Sequence, residues 1–146
     1  LLPETVKQLS QWPSIVALKE ATGCLDRLKA LKALDCDLDL LSGDDMTAKS
    51  FMMEGGKGVI SVVANVLPES VSHLCSAIKD NNYEKAEQID QQLMPSYELM
   101  FVESNPIPVK WALHKMGKIR SGIRLPLTPL SDKWHASVQQ WLGNMN

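Results

Sequence analysis

Hydrophobic positions change their spacing near residue 80. Before it, short apolar runs alternate with stretches of helical period, which is how the strands and helices of a parallel sheet read. Ile15-Val16-Ala17-Leu18 is apolar at every position, as a strand covered on both faces requires. Leu38-Asp39-Leu40-Leu41-Ser42 and Gly58-Val59-Ile60-Ser61-Val62-Val63 read as a second and a third strand. Helices are predicted over residues 4–11, 24–33, 45–53 and 68–77. Asp44 or Asp45 is available to cap the third, Gly55-Gly56 ends it, and Pro68 fits the first turn of the fourth.

After Asn81-Asn82 the strand signal disappears. Ala86, Ile89, Leu93, Tyr97 and Met100 recur at spacings of three and four, predicting an amphipathic helix over 83–101. Asn105-Pro106-Ile107-Pro108 breaks the chain and opens a helix through Lys115, ended by Gly117. The linker 124–130, with prolines at 126 and 129, leads to a last helix with Ser131 or Asp132 as N-cap and Trp134, Val138 and Leu142 on one face. The pattern divides the chain into a strand-and-helix region, 1–81, and an all-helical region, 82–146.

Three parallel strands leave two open edges, and a sheet apolar on both faces needs cover and pairing. Either another polypeptide completes it, or the sequence belongs to a longer chain. A (β/α)₈ barrel takes about 250 residues, so three βα units with a helical tail make somewhat less than its second half. The opening Leu-Leu-Pro-Glu-Thr, which lacks an initiator methionine and any signal-peptide pattern, reads as a start inside something longer. An isolated sheet of this kind is not expected to form a stable monomer.

Composition narrows the function classes. With 45% hydrophobic and 22% charged residues the chain can build a packed core. A net charge of -2 and a pI near 5.9 remove the electrostatic case for nucleic acid or an anionic membrane surface. No apolar run approaches the roughly 20 residues of a transmembrane helix, so a soluble protein is expected. Cys24, Cys36 and Cys75 form no CxxC pair and are odd in number, which reads as reduced thiols in the cytoplasm.

Lys19 is the sharpest chemical feature, because it follows four apolar residues and precedes Glu20-Ala21-Thr22-Gly23. At the C-terminal end of a barrel strand it stands where barrel active sites are built. Apolar walls disfavour the ammonium form, lower the pKa and release neutral amine for attack on a carbonyl. The alternative is a lysine snorkelling from a strand end into solvent.

Gly55-Gly56-Lys57-Gly58 precedes a strand, whereas phosphate-cradling loops follow one, so it reads as a turn. Ser42-Gly43-Asp44-Asp45 places two carboxylates at a strand end. Capping accounts for at least one, and no further metal ligands lie nearby in sequence. His73, His114 and His135 lack metal-ligand spacing, and Trp12, Trp111, Trp134 and Trp141 read as packing residues.

The blocks Ile15-Val16-Ala17-Leu18-Lys19-Glu20-Ala21-Thr22-Gly23, Leu40-Leu41-Ser42-Gly43-Asp44-Asp45 and Gly55-Gly56-Lys57-Gly58-Val59-Ile60-Ser61-Val62 occur in order. They are followed by Phe101-Val102-Glu103-Ser104-Asn105-Pro106-Ile107-Pro108-Val109-Lys110-Trp111 and Arg124-Leu125-Pro126-Leu127-Thr128-Pro129. This succession closely resembles the bacterial dihydrodipicolinate synthase family. The resemblance implies an α/β fold, the C-terminal part of a (β/α)₈ TIM barrel (strands six to eight) followed by a small all-helical domain. It also implies that Lys19 forms a Schiff base with pyruvate, whose enamine attacks L-aspartate 4-semialdehyde in the diaminopimelate route to lysine. Ile60 falls where the family places a backbone carbonyl beside pyruvate, and Gly43 lies on the neighbouring strand end. No cofactor and no metal are implied.

The implied partners are the N-terminal half of the same protein, which would hold the proton relay and carboxylate-binding groups, and further copies in a homotetramer. Leu25 and Leu28 lie on the helix that helps form one interface between copies in the family, and could equally be core positions. Related pyruvate-dependent class I aldolases such as N-acetylneuraminate lyase share the barrel and the lysine, and a non-catalytic half-barrel module is a reading of a different class.

Overall fold

The computed structural model describes residues 1–144. Three strands, β1 (Ala17–Glu20), β2 (Asp39–Ser42) and β3 (Gly58–Val59), form a parallel sheet in the order β1-β2-β3. Lys19 pairs with Leu41, and Ser42 with Val59. The helix α1 (Pro3–Leu9) precedes the sheet, and α2 (Leu25–Lys32), α3 (Ala48–Met53) and α4 (Pro68–Lys79) follow β1, β2 and β3. These are three consecutive βα units. Then come α5 (Tyr83–Leu99), α6 (Ile107–Lys115) and α7 (Asp132–Gly143).

The first strand lies two residues later than the apolar run predicts. The Ile15 N–H turns back to the Trp12 carbonyl at 2.9 Å, while the Val16 carbonyl receives the Asp39 N–H at 3.0 Å, so pairing begins only there. Lys19 therefore sits inside β1. Val16 is 69% exposed, not covered on both sides, and Trp12 is 64% exposed, not packed. Only two residues of the third run are strand, because the N–H groups of Val62 and Val63 donate to the Asp45 carboxylate at 2.8 and 3.2 Å instead of to a neighbouring strand. The chain turns there into a short 3₁₀ helix, Val63–Asn65.

Asp44, not Asp45, closes the turn into α3. Its Oδ2 accepts from the Thr47 N–H at 2.9 Å and the Thr47 hydroxyl at 2.7 Å, which delays the helix to Ala48. After α3, a Cβ on Gly56 would stand 2.3 Å from Cδ1 of Phe51. Close packing against an aromatic ring thus accounts for the glycine, in keeping with a turn. Asn82 caps α5 by accepting the Lys85 N–H at 3.2 Å. Ser131 precedes α7 but makes no side-chain cap bond.

One apolar cluster joins both parts of the chain. Ala48, Val63 and Leu74 from the βα units pack in the same core as Leu93, Met100 and Val138 from the helical segment. Trp111, Trp134 and Trp141 are partly buried against it. A buried polar link crosses the same boundary: Lys49 on α3 pairs with Glu87 at 2.6 Å and with the buried Asp90 at 2.8 Å, and Asp90 accepts from the Tyr97 hydroxyl at 3.2 Å. Burial lowers the Lys49 pKa, but the hydrogen bonds to Asp90 and Glu87 outweigh it and the net shift is upward. Burial together with the Asp90 charge pushes the Tyr97 hydroxyl far above its ordinary range. Cys24, Cys36 and Cys75 are free thiols. Among the described residues no helix is long and apolar enough to cross a membrane.

Candidate active site

The three residues singled out in the sequence, Lys19, Gly43 and Ile60, lie at the C-terminal ends of β1, β2 and β3. Lys19 is the third residue of β1, Gly43 directly follows β2, and Ile60 directly follows β3. The parallel ladder carries on through this corner. The Gly43 N–H donates to the Glu20 carbonyl at 2.7 Å, and the Ile60 N–H to the Ser42 carbonyl at 2.8 Å. Strand ends that finish at one level bring side chains from separate sequence blocks together, which is how a barrel assembles a site.

Gly43 and Lys19 touch. A Cβ on Gly43 would stand 2.6 Å from Cε of Lys19, 3.1 Å from its Cγ and 2.7 Å from Cβ of Ala21. The lysine stem therefore crosses the bare Cα of Gly43, and any other residue there would push it aside. The position is glycine for close approach, since its backbone is not in the left-handed region.

Side chains alternate along a strand, and the two faces of β1 differ sharply. Glu20 is 5% exposed, and its carboxylate accepts the Thr22 N–H at 2.8 Å and the Arg27 Nε–H at 2.5 Å. Arg27 also donates to the Leu1 carbonyl at 2.6 Å, tying α2 to the segment before α1. Burial pushes the Glu20 carboxyl up, but its bonds to Thr22 and Arg27 push it down further, so it stays ionised below its ordinary value. Lys19 faces the other way and is exposed. The apolar walls expected around it are not supplied by the described residues, which leave the side chain exposed. Its Nζ has no ion-pair partner among the described residues.

Ile60 is 47% exposed, and its carbonyl meets no donor among the described residues. Lys19, Gly43 and Ile60 thus line an open face. A cavity of about 240 Å³ lies elsewhere, between α6 and the segment leading to α7, beside Trp111, Lys110 and Leu130. The carboxylate pair is structural at both positions: Asp44 holds Thr47, and Asp45, 3% exposed, holds Val62 and Val63. No group of three or more His, Cys, Asp or Glu side chains among the described residues is arranged to hold a metal ion. His135 stacks on Trp111 with ring centroids 4.7 Å apart and points Nε2 at the Leu130 carbonyl, 2.9 Å away, which is a packing role.

Sequence reasoning missed Glu20 and Asp45 as organisers of this corner. Glu20 had a local signal, since Thr22 and Arg27 are near it in sequence. The partners of Asp45 lie 17 and 18 positions away, and only the sheet brings them near.

The chain matches known proteins over nearly its whole length. The sequence pattern of the Dihydrodipicolinate synthetase family matches residues 1–145. The 4-hydroxy-tetrahydrodipicolinate synthase of Coxiella burnetii is 58% identical over 142 residues, which are 97% of this chain and 48% of the relative. The chloride-inhibited dihydrodipicolinate synthase of Acinetobacter baumannii, solved in complex with pyruvate, superposes with a TM-score of 0.92 at 41% identity, over 97% of this chain and 49% of that one. A structure described as the first monomeric dihydrodipicolinate synthase variant superposes with a TM-score of 0.90 at 36% identity, over 99% of this chain and 50% of that one. The chain spans about half the length of the relatives it matches.

Proposed function

The chain belongs to the dihydrodipicolinate synthetase family, and from that premise we propose that it carries the Schiff-base lysine of a 4-hydroxy-tetrahydrodipicolinate synthase. Its fold is the C-terminal part of a (β/α)₈ barrel followed by a helical segment. Residues 1–81 are the last three βα units and residues 82–146 the C-terminal domain. In the whole enzyme the other half of the barrel covers the open face of β1 and supplies the low-dielectric wall around Lys19. It also supplies the groups that move protons and hold the pyruvate carboxylate. The proposed chemistry calls for neither a metal nor a cofactor, since the lysine imine itself is the electron sink.

The neutral amine of Lys19 attacks the ketone carbon of pyruvate. The carbinolamine loses water to give a protonated imine, which acts as an electron sink. Loss of a methyl proton then gives an enamine, whose carbon attacks the aldehyde of L-aspartate 4-semialdehyde, and hydrolysis and ring closure free the product from Lys19. Gly43 leaves room for the lysine stem, and the Ile60 carbonyl stands beside bound pyruvate. The enzyme is a cytoplasmic homotetramer, with α2 and its Leu25 near an interface between copies.

The observation that carries this reading is the crossing of the Lys19 stem over Gly43, one strand from the unpartnered Ile60 carbonyl. Borohydride added to the full-length protein with pyruvate should attach a three-carbon adduct to Lys19, found by mass spectrometry of its peptide. Absence of the adduct would assign the family fold here to another task, and an adduct with no condensation of the semialdehyde would assign it to a different aldolase.

A further inference from the structure

Asp45 is a buried acid that the chemistry above does not use. Its Oδ2 accepts the N–H groups of both Val62 and Val63, at 2.8 and 3.2 Å. These donors begin two residues after Ile60. On the other side, the Ile60 N–H is held by the Ser42 carbonyl at 2.8 Å. The Ser61 hydroxyl turns forward to accept the Ala64 N–H at 2.9 Å. The Ile60 carbonyl is thus carried on a short span anchored before and after by residues of one corner, 42–45, which also contains the Gly43 that the Lys19 stem crosses.

We infer that Asp45 is a positioning residue for pyruvate: by gripping Val62 and Val63 it fixes the Ile60 carbonyl relative to Lys19. This rests on the proposed assignment of Lys19 and Ile60. A carboxylate suits the task because one oxygen can accept two backbone N–H groups at once, and charge-assisted bonds of this kind are the strong ones. It also stops β3 at Val59 and turns the chain into the 3₁₀ helix, so the carbonyl faces the open corner instead of continuing the ladder. Asp44, one residue before, makes its side-chain hydrogen bonds to Thr47 in the turn into α3.

The test is steady-state kinetics of the full-length enzyme carrying Asp45→Asn, which keeps size and one acceptor oxygen, and Asp45→Ala, which keeps neither. Displacing a binding group by a fraction of an ångström to an ångström costs roughly ten- to a hundredfold. The KM for pyruvate should rise by about that factor in Asp45→Ala and by less in Asp45→Asn, with the KM for the aldehyde substrate unchanged. A folded Asp45→Asn and Asp45→Ala pair with unaltered pyruvate KM overturns the inference, as does an equal rise in both KM values. If Asp45→Ala does not fold, amide hydrogen exchange of the wild type decides. The Val62 and Val63 amides should be protected and gain protection on adding pyruvate, and fast exchange at both overturns the proposal. Failure of the wild type to form a pyruvate adduct at Lys19 would instead strike the underlying assignment, so the two failures are separable.

Discussion

The two ends of this chain are finished to different degrees. From α3 to α7 the packing closes on itself: Val63, Leu74, Leu93, Met100 and Val138 are at most 1% exposed, and the Lys49–Asp90–Tyr97 link lies among them. From α1 to β1 the same chain leaves Leu1, Leu2, Trp12 and Val16 between 64% and 73% exposed, with a bare sheet edge beside them. The candidate nucleophile stands on the open part, while the groups that fix the neighbouring strand ends reach into the closed one. A barrel active site is shared property. On the proposed assignment, this half sets where the lysine points, and the walls, proton carriers and carboxylate receivers are left to the rest of the protein.

The largest expected effect concerns the open part. In the full-length enzyme Lys19→Ala should lower turnover at least about a thousandfold, since losing a covalent nucleophile leaves only binding effects. Thermal stability should not fall with it, because truncating Lys19 to Ala removes a charge from the low-dielectric wall proposed around it and leaves no buried group unpaired. Retained turnover would remove the chemical side of the contrast.

The closed part should respond in the opposite way. Asp90→Ala strands the Lys49 ammonium and the Tyr97 hydroxyl and should cost about 3 kcal/mol, measured by denaturant unfolding of the full-length protein, with little change in pyruvate KM. A loss below about 1 kcal/mol would mean that Glu87 and solvent satisfy Lys49 unaided.

Glu20 belongs to the open part, where Arg27 ties it to α2, and its pH dependence has a definite sign. Because its folded pKa lies below the ordinary value, its contribution is fully present above the ordinary glutamate range. That contribution is lost as pH falls through the lower, folded pKa. Glu20→Gln should cost about 1.5–2 kcal/mol near neutral pH and flatten the acid limb of stability against pH. Parallel acid limbs in wild type and variant would show that another group governs it.

The smallest effect sharpens the contrast most. In the full-length protein Val16→Ser should cost about 1 kcal/mol, because the rest of the barrel is proposed to cover the side chain that stands exposed here. A change within about 0.5 kcal/mol, as exposed positions give, would mean that Val16 stays open in the whole protein.

What could be read in the sequence follows the range of the forces involved. The three strands and all seven helices announce themselves through local patterns, and Lys19 through its place after an apolar run. The run Ile15-Val16-Ala17-Leu18 misled on register, because hydrophobicity reports what will eventually be covered, whereas pairing starts where the Asp39 N–H reaches the Val16 carbonyl. The run through Val63 misled on length for a related reason. A buried carboxylate competes for its N–H groups, and no local pattern shows that competitor. The join between the βα units and the helical segment was equally hidden: Lys49 and Asp90 look like surface residues of two helices until those helices pack.

The central claim is that the ends of β1, β2 and β3 form one pyruvate site, with the amine on the first and the carbonyl contact on the third. A crystal structure of the borohydride-trapped pyruvate adduct of the full-length protein tests this most directly. The three-carbon group should be bonded to Nζ of Lys19, with the lysine stem crossing Gly43 and the Ile60 carbonyl against the trapped group. An adduct on another lysine, or one on Lys19 that turns away from Ile60, would contradict the account.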